Sequence, residues 1–327
     1  MKKKLFFILF ISTFLLLPLV SSWGPATHSR LVNELFENPQ SKIITDCIPY
    51  KDAFLLGSMT PDITVIYYYS SGGKNYQLTH NHNFADEVMA QARTEEERCF
   101  AYSIEAHLIA DSISHNMAVP KAIKKTFIPN WLVHPLLEQK YDAVMMRRYP
   151  ELKNQSEHMM DALSGPSGDR FVEMIEDALG ENIDFDVKSD MTKLAIALGG
   201  FYEESYKPRG ETFIFKVYPY ISKLTVFLEP MLGSINVGET ELYFDKAQEL
   251  LENSYNNWGS RYQVSPHGFS ALKEADQTAR LFNFIWIILM FLPTGLIIFF
   301  KKKFRWKYLA FIPLMLLILI LVIYAIV

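Results

Sequence analysis

Apolar residues recur at intervals of three and four along much of the chain, which is the pattern of amphipathic helices. The pattern is clearest at 95–117, 169–180, 190–206 and 243–258. Strand-like alternation is scarce, and its best case is TFIFKVY at 212–218. We predict loops where Gly, Ser or Pro accumulate, at 67–74, 127–135 and 163–169. The hydrophobic pattern therefore predicts an all-α fold.

An uninterrupted apolar run lies near the N-terminus. Three lysines precede this run at 5–20, and the small residues Ser21 and Ser22 follow it. This order is typical of a secretory signal peptide, so we predict that residues 1–22 are removed and that Trp23 becomes the new N-terminus. An uncleaved membrane anchor is the alternative, because the run approaches the length that spans a bilayer.

Two further apolar runs lie near the C-terminus. Residues 281–300 and 308–327 carry no charge, and each is long enough to cross a bilayer as a helix. The loop between them, 301–307, carries five cations and no acid, which makes it cytoplasmic by the positive-inside rule. We therefore expect residues 23–280 to form one extracytoplasmic domain that two C-terminal transmembrane helices anchor to the membrane.

The predicted outer domain is acidic. Subtracting the eight cations of the two ends from the 32 Lys and Arg leaves 24 against 36 Asp and Glu, a formal charge of about −12. This balance disfavours nucleic acid as the main partner, because phosphate contacts depend on Lys and Arg. The chain has two cysteines, Cys47 and Cys99, and the sequence leaves both a disulfide and two free thiols open.

The histidines are the first sign of chemistry. Six of the eight lie early in the chain, at His28, His80, His82, His107, His115 and His134. Imidazole and carboxylate groups are the non-thiolate ligands of zinc. In HLIADSISH, the helical period places His107, Asp111 and His115 on one side of a largely apolar helix. A buried carboxylate there is costly unless it binds metal or hydrogen bonds, so a metal site and a His-Asp-His network are both open.

Three weaker signals accompany this helix. His134 and Glu138 share the same four-residue spacing, which a pair on a helix surface would also produce. Asp62 ends an apolar segment, where a turn or a helix cap is the ordinary interpretation. His80 and His82 fit a loop as well as a metal site.

Taken in order, these residues resemble the zinc-dependent phospholipase C and single-strand nuclease superfamily, all-helical secreted phosphodiesterases with three zinc ions in a cleft. The family's ligands run Trp, His, Asp, His, His-x3-Asp, His and then His-x3-Asp or His-x3-Glu, and the mature N-terminal tryptophan binds metal through its amine and carbonyl oxygen. The matching positions are Trp23, His28, Asp62, His80 or His82, His107, Asp111, His115, His134 and Glu138. The resemblance covers residues 23–138, and the following residues up to 280 carry no motif.

The resemblance implies a ligand set for each of up to three zinc ions. The first set is Trp23, His28 and Asp111. The second is Asp62, His80 or His82, His107 and Asp111. The third is His115, His134 and Glu138. The resemblance also implies two catalytic residues, Asp111 as the carboxylate that bridges two ions and Asp62 as the residue that orients the attacking water.

The resemblance and the predicted topology imply a membrane-anchored, zinc-dependent phosphodiester hydrolase that faces away from the cytoplasm. A phospholipase C that releases phosphorylated headgroups from phospholipids is its simplest form. The alternatives are a single-strand nuclease or 3′-nucleotidase of the same fold and a non-catalytic metal-binding domain tethered to the membrane. Three residues separate Asp111 from His115 where the family usually has five. This difference leaves two alternatives open, an intact third zinc site and a third zinc that is shifted or weakly bound.

Overall fold

The computed structural model describes residues 24–64, 78–124, 141–142, 145–146, 148–180, 183, 185–202 and 237–256. All regular secondary structure in these residues is helical, which confirms the predicted all-α fold. No helix within the described ranges is both long and apolar enough to cross a membrane. Several predicted features lie outside the described residues, namely the segments 1–22, 67–74, 127–135, 212–218, 281–300, 301–307 and 308–327.

Ten α-helices occur in the described ranges. They are α1 (Pro25–Glu37), α2 (Lys42–Cys47), α3 (Lys51–Met59), α4 (His82–Ala90), α5 (Glu95–Ile113), α6 (Val119–Lys124), α7 (Gln155–Ser164), α8 (Gly168–Leu179), α9 (Val187–Tyr202) and α10 (Val237–Asn256). Short 3-10 helices occur at Ile48–Tyr50, Thr60–Asp62 and Pro150–Asn154, and a π-helical segment at Ser114–Ala118 joins α5 to α6. The four segments with the clearest helical period correspond to α5, α8, α9 and α10.

Helix α5 lies at the centre of the described helices and carries two of the predicted metal ligands. Thr94 caps its N-terminus, because its hydroxyl accepts a hydrogen bond of 3.2 Å from the Glu97 amide. Most of its residues are buried, since α5 packs against α3, α4 and α10. Phe100 also stacks on Phe171 of α8, with ring centroids 4.5 Å apart. The few polar side chains of α5 are therefore held away from water.

Helix α3 crosses α5 at a glycine. A β-carbon at Gly57 would lie 2.2 Å from the carbonyl oxygen of Phe100 and 2.0 Å from Ser103 Oγ, which leaves no room for a side chain. The next residue, Ser58, presents its carbonyl oxygen 2.7 Å from Nδ1 of His107 on α5. The close approach of the two backbones therefore places α3 against a predicted metal ligand.

A disulfide joins Cys47, at the end of α2, to Cys99 in α5. The structure thus settles the question that the sequence left open. The two cysteines are separated by 52 positions. In the chain-entropy treatment, a disulfide that closes a loop of this size lowers the entropy of the unfolded chain and so stabilises the folded protein by about 4 kcal/mol. The bond fixes α5 near its first turns, upstream of His107.

The helix crossing at Gly57 generates the first testable prediction. We expect Gly57→Ala to lower the free energy of unfolding by about 1–3 kcal/mol, because the added methyl group forces α3 away from α5. Adding Ser103→Ala should recover part of this loss, since it removes one of the two clashing atoms. Urea denaturation of the three proteins checks both effects. An unchanged free energy of unfolding in Gly57→Ala would contradict the close crossing.

Candidate metal centre

Three histidines and two aspartates meet in the interior of the described helices. His28 lies on α1, Asp62 ends the 3-10 helix that follows α3, His80 precedes α4, and His107 and Asp111 lie one turn apart on α5. Each is at most 5% exposed. Five of the predicted metal ligands, drawn from four separate parts of the sequence, are therefore brought together in one buried cluster.

The carboxylate of Asp111 lies between the histidines. Its Oδ1 is 3.2 Å from Nε2 of His28. Its Oδ2 is 3.3 Å from Nε2 of His107 and 3.7 Å from Nε2 of His80. The two oxygens thus face different histidines, which is the arrangement that a bridging carboxylate needs.

Asp62 completes the side of the cluster near His80 and His107. Its Oδ1 is 3.4 Å from Nε2 of His80 and 3.8 Å from Nε2 of His107. Nearby hydroxyls hold this turn, because Thr79 Oγ1 donates to the carbonyl of Pro61 at 2.7 Å and lies 2.6 Å from Thr64 Oγ1. The residue next to Asp62 is therefore tied to the residue next to His80.

A hydrogen bond at Nδ1 of His107 fixes the orientation of the imidazole ring. Its Nδ1 lies 2.7 Å from the Ser58 carbonyl oxygen, an acceptor, so Nδ1 carries the hydrogen and donates it. Nε2, which faces Asp111 and Asp62, is then the nitrogen available to a metal ion. The His28 ring stacks on the His107 ring with centroids 4.0 Å apart, so the same contact helps to place His28. Such outer hydrogen bonds orient the histidine ligands of metal sites.

Burial and the charges of the cluster shift the pKa values of its histidines and aspartates. Burial lowers the pKa of His107, but the carboxylates of Asp111 and Asp62 outweigh burial and raise that pKa to about 9. Burial raises the pKa of Asp111, yet the positive charge of His107 and the close approach of the His107 and His28 imidazoles hold this pKa well below the usual range. The pKa of Asp62 is also lowered, since the neighbouring imidazoles outweigh its burial. Burial and the charge of His107 lower the pKa of His28, which favours the neutral, metal-binding imidazole.

The hydrogen-bonding state of the cluster fits a metal ion better than a self-contained network. Both oxygens of Asp111, Oδ1 of Asp62 and Nε2 of His107 are buried without a hydrogen-bond partner among the described residues. A closed His-Asp-His network would satisfy these atoms, because unpaired buried polar groups are costly. The unpaired atoms all point into the cluster, where a cation would bind them.

The spacing of the ligand atoms leads to the same conclusion. Within the described residues the ligand atoms form two groups, one of His28, His107 and Asp111 and one of Asp62, His80 and His107. In each group all ligand atoms lie within 4.8 Å of one another. The edges of a tetrahedron of zinc ligands are about 3.4 Å long for bonds near 2.1 Å. The shortest separations in the cluster, 3.2, 3.3 and 3.4 Å, match that edge. Imidazole and carboxylate donors at this spacing suit zinc.

His82, the alternative to His80, lies outside both groups. Its Nδ1 is 3.0 Å from Oε2 of Glu105, a buried carboxylate on α5 two residues before His107. His80 instead directs Nε2 at Asp62 and Asp111. Sequence reasoning missed the role of Glu105, although an acid on an otherwise apolar stretch of α5 was a usable signal.

The third predicted ligand set is described only in part. His115 is fully buried and lies in the π-helical segment, where the wider turn changes the direction of side chains after Asp111. Within the described residues it belongs to neither group of ligand atoms. Its predicted partners His134 and Glu138 lie outside the described residues, as does Trp23 of the first set. The third set and the N-terminal ligand therefore stay predictions.

Comparisons with known proteins bear on this cluster. Residues 27–184, just under half of the chain, match the family model described as zinc dependent phospholipase C, and the match includes all five clustered residues. An uncharacterized protein of Archaeoglobus fulgidus is 30% identical over 116 residues, which are 35% of this chain and 32% of that protein. The chain thus spans about a third of the length of this relative. No solved structure matches the chain.

The raised pKa of His107 predicts how the metal-free protein responds to pH. The pKa of His107 in the folded protein is about 9, whereas the ordinary pKa of an imidazole is 6.5. The folded state binds more protons between these values, so its stability falls as the pH rises through about 9. We expect the free energy of unfolding to drop by about 2 kcal/mol more in the metal-free protein than in metal-free His107→Gln between about pH 7 and pH 9.5. Equal drops in chelator-treated samples would contradict the proposed protonation of His107.

Proposed function

We propose that this protein is a zinc-dependent phospholipase C that releases phosphorylated headgroups from phospholipids, because residues 27–184 match the family model described as zinc dependent phospholipase C. The observation that carries the proposal is the Asp111 carboxylate, whose oxygens lie 3.2 Å from His28 and 3.3 Å from His107 in a buried cluster. Such a carboxylate can join two cations, and paired cations are a common basis of phosphodiester hydrolysis.

The described residues supply most of two ligand sets. His28 and Asp111 would hold the first ion, with the amine and carbonyl of Trp23 as its remaining predicted ligands. Asp62, His80, His107 and Asp111 would hold the second. The predicted set His115, His134 and Glu138 would hold the third. The shared role of Asp111 is supported by two separations, 3.2 Å from its Oδ1 to His28 and 3.3 Å from its Oδ2 to His107.

When bound in these sets, zinc would supply positive charge that polarises phosphoryl oxygens and lowers the pKa of a nucleophilic water. The protein residues orient this chemistry. Asp62 is 5% exposed, and its lowered pKa favours a carboxylate that accepts a hydrogen bond from the attacking water and holds it in line. Asp111 is fully buried and its lowered pKa favours the carboxylate, so its part would be to hold the cations rather than to exchange protons.

The charge of the chain bears on the substrate. A domain of about −12 would repel a phosphodiester, but three dications would place about +6 inside one cleft. A short anionic headgroup needs positive charge only at that point. A long nucleic acid needs it along an extended surface, which an acidic domain does not offer. A phospholipid therefore fits the chain better than a polynucleotide.

The location follows from the same residues. The disulfide between Cys47 and Cys99 supports an oxidising compartment, because such bonds persist outside the cytoplasm. The predicted signal peptide at 1–22 and the predicted helices at 281–300 and 308–327 favour the extracytoplasmic face for the domain. Anchoring by these helices would keep the zinc centre close to its lipid substrate.

The bridging role of Asp111 gives a direct test of the ligand assignment. We expect Asp111→Asn to lose more than one zinc equivalent and to reduce hydrolysis at least about 100-fold, because one neutral amide replaces a ligand shared by two ions. Asp161→Asn, on the exposed face of α7, is the matched control and should retain the zinc content and the hydrolysis rate of the wild type. Zinc content by mass spectrometry and rates of bis-nitrophenyl phosphate hydrolysis measure the effects. Loss of a single equivalent with activity retained would rule out the bridge.

The substrate proposal is tested on the full-length, zinc-loaded protein. We expect it to release phosphorylcholine from phosphatidylcholine vesicles faster than it releases nucleotides from single-stranded DNA. A chelator should abolish the activity, and zinc should restore it. Faster release of nucleotides would support the nuclease alternative instead, and hydrolysis of neither substrate would support a non-catalytic metal-binding domain.

A further inference from the structure

Helix α1, which carries His28, begins without a cap of its own. Its N-cap residue is Gly24, which has no side chain to accept hydrogen bonds from the first amides of the helix. Such amides are normally satisfied by a Ser, Thr, Asp or Asn side chain, and an exposed end would frequently fray. The first turn of α1 is nevertheless buried, with Ala26, Thr27 and His28 at most 1% exposed.

The missing cap comes from a distant part of the chain. Asp142 Oδ1 accepts hydrogen bonds from the amide of Thr27 at 2.9 Å and from its hydroxyl at 2.8 Å. The two residues are 115 positions apart. Asp142 is 1% exposed, so no solvent competes for these bonds. A carboxylate at a helix N-terminus also interacts favourably with the helix dipole.

Asp142 lies against the backbone at Gly24, so a side chain at this position would require the Asp142 carboxylate to move. A β-carbon at Gly24 would lie 2.1 Å from Asp142 Oδ2 and 2.5 Å from its Cγ. The carboxylate is thus lodged directly against the backbone of the first turn. Gly24 is followed by Pro25, whose fixed backbone angle further limits the ways in which this turn can bend.

Holding a carboxylate in this position is unfavourable in itself. Burial raises the pKa of Asp142 to about 7, although its hydrogen bonds from Thr27 oppose the shift. A local Ser or Thr at position 24 would cap the helix without burying an ionisable group. The cost indicates that the link between Asp142 and α1 serves more than the helix end.

We propose that Asp142 is a positioning residue for the zinc centre, which holds the first turn of α1 so that His28 meets Asp111. His28 directly follows Thr27, and its Nε2 is 3.2 Å from Asp111 Oδ1. A displacement of the turn by about 1 Å would change that separation, because Asp111 lies on a different helix, α5. Trp23, the predicted N-terminal ligand, directly precedes Gly24 in the sequence. The inference rests on the proposed zinc centre.

The test compares zinc affinity in four variants of the full-length protein. Asp142→Ala removes both hydrogen bonds, and we expect one zinc equivalent to bind about 10–100-fold more weakly while the others are unchanged. Asp142→Asn keeps an oxygen that accepts from Thr27, and its zinc affinity should stay within about threefold of the wild type. Thr27→Val removes the hydroxyl donor alone and should weaken the same equivalent by a smaller factor.

Ser41→Ala is the control for a general loss of helix capping. Ser41 caps α2 by accepting a hydrogen bond of 3.2 Å from the Ile44 amide, and α2 contributes no residue to the cluster. We expect this variant to bind all its zinc with wild-type affinity. Chelator competition, followed by zinc content at each chelator concentration, resolves the equivalents separately.

The outcomes separate the two proposals. Wild-type zinc affinity in folded Asp142→Ala would overturn the positioning role and leave the zinc centre standing, as would an equal loss in Ser41→Ala. If Asp142→Ala does not fold, Thr27→Val decides, since unchanged zinc affinity there would overturn the role. Absence of zinc from the wild-type protein would overturn the zinc centre, and the positioning role with it.

Discussion

The structure depends on one electrostatic constraint, the burial of two carboxylates among three imidazoles in the middle of a helical domain. Asp111 is fully buried and Asp62 is 5% exposed, and an ionised carboxylate in such a place is stable only with compensating charge. Without a metal ion the compensation comes from His107, whose pKa rises to about 9 despite its burial. Bound zinc would satisfy the same carboxylates more completely, and its binding would displace the proton from His107. The cost of these buried charges would therefore couple the fold to the metal.

The surrounding residues serve to hold this unfavourable cluster in one geometry. Gly57 lets α3 approach α5 closely enough for the Ser58 carbonyl to orient His107. The disulfide fixes α5 to α2, and hydroxyl groups tie the turn before α4 to the turn after α3. The Asp142 carboxylate fixes the start of α1. Each contact acts on an element that carries a ligand, which explains why residues from four parts of the chain converge to within a few ångströms.

The parts of the site that depend on helical geometry were predictable from the sequence. The four-residue spacing placed His107 and Asp111 on one side of α5, and their buried contact at 3.3 Å confirms that placement. The choice between His80 and His82 was not predictable, because it depends on where α4 begins and on the contact between Glu105 and His82. The Asp142 cap joins residues 115 positions apart, and the π-helical segment at His115 leaves no periodic signal. Long-range contacts and local departures from helical geometry are thus what the sequence pattern could not reveal.

The central claim is that Asp111 joins two zinc ions in this cluster, and anomalous diffraction from crystals of the purified protein at the zinc edge tests it most directly. We predict two anomalous peaks, one within about 2 Å of each Asp111 oxygen, with His28 beside one and His80 and His107 beside the other. A single peak on one side of Asp111 would contradict the bridge. No peak among these residues, in a crystal whose zinc edge is detectable, would contradict the metal centre itself.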